Sequence, residues 1–154
     1  MSPSSSRRDV EKGANDEWRR HRPSLEIHHL AGDLARWSRR HGELLSESAQ
    51  DRGADLRPAG DRTAEHLTVL AGETTERGEP CSEAGLLLLH DLRRAYLAAS
   101  ENSLNWEMLA QVAQATKDAP LLDMVSSCHP QTLRQIRWAN TMIKTLSPQV
   151  LTSM

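Results

Sequence analysis

The sequence predicts an all-α protein built as a four-helix bundle, on three observations. From Ser82 to Lys117 the apolar positions Leu89, Leu92, Tyr96, Ala99, Ser103, Trp106, Ala110 and Ala113 alternate by three and four, so they share one helical face. That run contains no proline, and glycine only near its start. Further segments repeat the helical period, and no stretch alternates with period two long enough to make a strand. At 154 residues the chain is one domain, large enough to bury a core of its own.

The elements follow in chain order. Residues 1–22 surround one large apolar side chain, Trp18, with six basic and four acidic residues, and are expected to form a disordered charged tail. Within it Arg19, Arg20, His21 and Arg22 form a basic cluster beside Trp18. The folded domain is expected over 23–147, with 148–154 as a C-terminal tail. Pro23 and Ser24 resemble a helix start, Ser24 being the N-cap. Ile27, Leu30, Leu34, Trp37, His41, Leu44 and Leu45 carry that helix to about Gln50, and Gly53, Pro58 and Gly60 end it. Asp61 to Arg77 forms a second helix with Ala64, Leu67, Leu70 and Ala71 on one side and Gly78 as its stop. The long helix starts at Ser82 and is closed by Asp118 and Pro120. Leu121, Leu122 and Val125 then give barely two turns. Pro130 disfavours helix at His129 and suits the first turn of a final helix, which buries Leu133, Ile136, Asn140 and Ile143 and stops at Ser147-Pro148.

Composition excludes several classes. Nineteen basic against 21 acidic residues argue against a dedicated nucleic-acid binder. The balance is uneven, because no Asp or Glu follows Asp123 while Arg134, Arg137 and Lys144 remain. Cys81 and Cys128 are too few for a disulfide framework and read as half-buried thiols. No apolar signal segment and no stretch of membrane-spanning length occurs, so no membrane association is expected and the location is read as cytoplasmic.

Chemistry-bearing motifs are scarce in the sequence. A helical metal site wants Glu-x-x-His or His-x-x-x-His, which put both ligands on one side; His-x-x-x-His does not occur, and Glu-x-x-His occurs once, from Glu26 to His29, where a di-metal centre draws on two. The pairs His28-His29, Glu65-His66 and His90-Asp91 are adjacent, and neighbours on a helix diverge by about 100°. No Cys-x-x-Cys, Walker-type loop, Gly-x-Gly-x-x-Gly or Gly-x-Ser-x-Gly is present.

The stretch Leu86 to Pro148 resembles the C-terminal part of bacterial ferritin-like bundles of the stress-associated type of unknown function. The resemblance rests on His90-Asp91-Leu92, Tyr96 to Glu101, Ala113 to Leu121 and Thr132 to Ile136. It implies a ferritin-like scaffold with metal-ligand candidates His90, Asp91 and Glu101. The family's metal-binding histidine falls on Cys128 by position, or on His129 if the turn is shifted by one. Glu101 lies opposite the Leu92–Tyr96–Trp106 face, and the last helix has no acid, whereas a di-metal centre draws carboxylates from all four helices. The ligand set therefore reads as degenerate, with no metal and no cofactor expected.

A second apolar line on the long helix, Leu86, Leu97, Leu104 and Met108, lies away from the first and needs a cover of its own. Trp138 falls off the core line of the last helix beside Arg134, an interface signature; Trp37 and Trp106 fall on core lines. The function expected is that of a non-enzymatic helical-bundle protein, a homodimer or larger, acting through self-association or a protein partner. Two alternatives stand beside it. One is a di-iron-like oxidase or iron-handling protein with ligands among Glu65, His66, His90, Asp91 and Glu101. The other is a regulatory adaptor that binds protein or nucleic acid through Trp18, Arg19, Arg20, Arg22 and the basic last helix.

Overall fold

The computed structural model describes residues 4–55, 62–73 and 82–152, with side chains at 27–55, 62–72 and 85–152. Four helices account for nearly all of it: α1 (Ser4–Gln50), α2 (Arg62–Glu73), α3 (Ser82–Ala115) and α4 (Ala119–Leu151). No strand occurs among the described residues. The all-α, four-helix architecture is as the sequence predicts.

Chain neighbours pack against one another in the order α1, α2, α3, α4, and α4 closes back on α1. Side-chain pairs give the directions. Gln135 meets Ser38 where Gln131 meets His41, so α4 runs antiparallel to α1. Gly85 faces Val150 while Ser103 faces His129, so α3 runs antiparallel to α4.

The helix ends are set by local chemistry. Gly53, at φ 74°, closes α1 with paired bonds from Gly53 N to Gln50 O and from Ala54 N to Ala49 O, the Schellman pattern. The end of α3 repeats that pattern with Lys117 at φ 55°, where Lys117 N reaches Gln114 O and Asp118 N reaches Ala113 O. Asp118 then caps α4, its Oδ1 accepting from Leu121 N at 3.0 Å, with Pro120 in the first turn.

Three expected boundaries are corrected. The short helix at Leu121 and the separate one after Pro130 are a single helix, α4, which runs through Pro130 and on past Pro148. Pro130 is exposed, so the carbonyl that loses its helical bond faces water, while the buried face continues unbroken through Leu121, Val125, Cys128, Thr132, Gln135, Ala139 and Leu146. Continuous packing on α3 outweighs the local cost of the proline. That buried face is also one residue back from the expected line, since Leu133, Ile136, Asn140 and Ile143 are only half-buried. At the other end of the chain α1 extends back through Pro23 to Ser4, so Ser24 is not its first residue. The side chains of Trp18, of the Arg19–Arg22 cluster and of the rest of the expected tail lie outside those described, as do Gly78 and Cys81 altogether.

The core has three levels. At one end Ile27, Ala31, Leu34, Leu67, Leu70, Leu92, Ala95 and Leu146 form an apolar cluster. At the other Trp106, Val125 and Cys128 pack with Leu44, Leu45, Leu109 and Met124. Each fully buried Leu or Ile contributes about 1.5–3 kcal/mol relative to exposure. Between the clusters lies a layer of buried polar side chains: Ser38, His41, Thr63, Ser103, Thr132 and Gln135.

Candidate functional site

Two places carry features that the fold alone does not consume: the polar layer, with a cleft that opens from it, and the outer face of α3. In the layer every helix contributes. Gln135 Nε2 donates to Leu34 O and to Ser38 Oγ, both at 2.8 Å, tying α4 to α1. Trp106 Nε1 donates to Thr132 Oγ1 at 3.0 Å, tying α3 to α4. Asn102 Nδ2 donates to Thr63 Oγ1 at 2.9 Å, tying α3 to α2. His41 Nε2 lies 2.8 Å from Gln131 Oε1. A carbonyl oxygen only accepts, so Nε2 carries the proton. The His41 ring meets Trp106 edge-to-face at 5.6 Å, joining α1 and α3 across the bundle.

A cleft of about 300 Å³ opens from this layer beside the start of α2. Because α2 is only 12 residues long, it leaves part of the α1–α3 groove uncovered. Leu45, Leu109 and Trp106 line the cleft on its apolar side; His41, Asn102 and Asn105 add polar atoms, and Arg62 and Glu101 lie at its edge. Arg62 Nη2 holds Glu101 at 2.8 Å. The polar groups thus engage one another instead of converging on an empty point. Burial, together with the nearby Arg94, holds the His66 imidazole below its ordinary value.

Two nucleophile candidates fail on chemistry. Ser103 Oγ shares a 2.8 Å hydrogen bond with His129 Nε2. Ser103 lies in mid-helix, where the surrounding amides are spent in the helix and no pair of N–H groups is left to hold an oxyanion. Cys128 is a free, buried thiol, deeper than the half-buried state expected of it, and burial pushes its thiol up, away from the reactive thiolate.

The expected metal candidates are not brought together. His90 Nδ1 is 3.5 Å from its neighbour Asp91, while Glu101 is bound by Arg62 about three turns further along α3. Among the described residues no three His, Cys, Asp or Glu side chains converge to hold a metal. The donors among the described residues do not fit a di-iron centre.

The second apolar line fares differently. Leu86, Leu97, Leu104 and Met108 all face outward on α3, with Leu97 50%, Leu104 61% and Met108 60% exposed, and Val112 extends the line toward the end of α3. Trp138 does not join them. It is half-buried on α4 and packs against the first core cluster, with its indole N–H buried and without an acceptor.

Sequence reasoning places His41 and Trp106 on core lines but misses the layer they belong to. Gln135 and Thr132 carry no apolar signal, and only the arrangement in space gives them partners. No helix among the described residues is long and apolar enough to cross a membrane. Compared with known protein families, with curated proteins and with solved structures, the chain matches none.

Proposed function

We propose that this chain is a non-enzymatic helical-bundle protein, on a degenerate ferritin-like scaffold, that acts by associating with a second copy of itself through the outer face of α3. The observation that carries the reading is the exposed line Leu86, Leu97, Leu104 and Met108, on the side of α3 away from the buried Leu92, Ala99 and Trp106. A monomeric helix of a four-helix bundle buries one broad stripe and turns polar residues to water. An apolar line on the opposite side marks a contact surface, and two-fold pairing is the commonest way to cover one.

Light scattering on the wild type and on the Leu97→Glu/Leu104→Glu variant tests this. A wild-type dimer and a folded monomeric variant support the reading; a variant that loses its helical fold would show the line to be core and contradict it.

A second reading has its own observation. Arg134, Arg137 and Lys144 are exposed on α4, beyond the last acidic residue of the chain, and would suit an acidic partner. Binding to such a partner should weaken steeply with salt.

A further inference from the structure

We propose that the α3 helices of two copies pair antiparallel, about a two-fold axis passing between Ser100 and Glu101. This rests on the reading of the outer face of α3 as the self-association surface, and it specifies how the two copies meet.

The apolar line is self-complementary in one register. Leu97 and Leu104 lie equidistant from that axis, so Leu97 faces the partner's Leu104 and Leu104 faces the partner's Leu97. Leu86 then comes opposite the partner's Ala115 at the exposed end of α3, and Met108 lies against the aliphatic stem of the partner's Arg93.

The charges flanking the line select the direction. At about 100° per residue, Arg93 and Glu107 flank the line on its α4 side, while Arg94 and Glu101 flank it on its α2 side. The contacts agree: Glu101 is held by Arg62 of α2, and Arg94 acts on His66 of α2. In an antiparallel two-fold pair, equivalent flanks meet. Arg93 then faces the partner's Glu107 within one residue of ideal register, and the pair forms twice. A parallel pair brings opposite flanks together and sets Arg93 beside the partner's Arg94, a like-charge contact.

Arg93 and Glu107 are both exposed, and neither has a hydrogen bond or ion pair among the described residues. Glu101 on the other flank already has Arg62, so the near approach of two Glu101 side chains at the axis is offset. The unmatched charges are the ones the antiparallel pairing matches.

Charge reversal tests the arrangement with surface substitutions that leave the core untouched. In Arg93→Glu each dimer contains two Glu–Glu contacts, and in Glu107→Arg two Arg–Arg contacts. Each variant alone should dimerise at least about tenfold more weakly than wild type at low salt. An equimolar mixture of the two should recover dimers, because every flank contact is then between opposite charges. Analytical ultracentrifugation of the two variants and their mixture reads the result. Reversals without effect, or a mixture that stays weak, overturn the antiparallel register. If Leu97→Glu/Leu104→Glu still gives monomers in that case, self-association through α3 stands without it. A wild type that is monomeric at high micromolar concentration overturns both.

Discussion

Arg52, just past the end of α1, binds Asp118 through two nitrogens, Nε at 2.8 Å and Nη2 at 2.5 Å from the same Oδ2. The other oxygen of Asp118 caps α4 through Leu121 N. One carboxylate therefore locks the α1 end to the turn between α3 and α4. Arg52 is itself steadied by Ser48, whose carbonyl and hydroxyl accept from Nη1.

These bonds, with Arg52 first and the Leu121 amide second, hold the Asp118 carboxyl below its ordinary value. An acid with a lowered folded pKa stabilises the fold above its unfolded pKa and loses that contribution as pH falls through the folded value. Thermal melts from pH 7 down to pH 2 should show a decline that is shallower in Asp118→Asn. Equal slopes for the two proteins would contradict this.

His66 adds a decline in a second window. Its folded pKa is lowered, so between that value and its ordinary 6.5 the unfolded chain binds a proton that the folded chain refuses. Stability should fall as pH drops through this window, and His66→Gln should flatten the profile there. An unchanged profile between pH 7 and pH 5 would count against the assignment.

Trp106 fills the second core cluster, is 5% exposed, and spends its N–H on Thr132. Trp106→Ala should cost roughly 3–5 kcal/mol by denaturant unfolding, because it empties a cavity and also leaves His41 without its ring partner. A loss below about 1 kcal/mol, typical of surface positions, would mean that the residue does not hold the core.

How much of this was legible in the sequence depends on what each buried face is made of. The inner line of α3 was readable because Leu92, Ala99 and Trp106 repeat at helical spacing and are buried. Apolar periodicity places the buried face of α4 one residue off, because its centre holds Thr132 and Gln135 while the apolar Leu133, Ile136 and Ile143 flank it. Polar side chains enter a core only with partners, and partners such as Leu34 O, about a hundred residues away, leave no trace in local periodicity. Pro130 misled for a related reason: its cost is local, and the α3–α4 packing that overrides it is not. The outer line of α3 was readable as a list of residues. The flanking charges that give it a direction emerged only once α2 and α4 fixed the two sides.

Gln135 offers a direct check on the polar layer. Gln135→Leu should cost about 1–3 kcal/mol, since it strands the Ser38 hydroxyl in the core. Adding Ser38→Ala should recover part of that loss, as removing both partners of a buried hydrogen bond is cheaper than removing one. Additive losses in denaturant melts would show that the pair is not coupled.

Self-association through α3 is read out by sedimentation equilibrium of the unmodified protein. The mass should rise with concentration toward twice the 17.2 kDa of the chain. A single species at 17.2 kDa across the micromolar range would contradict it.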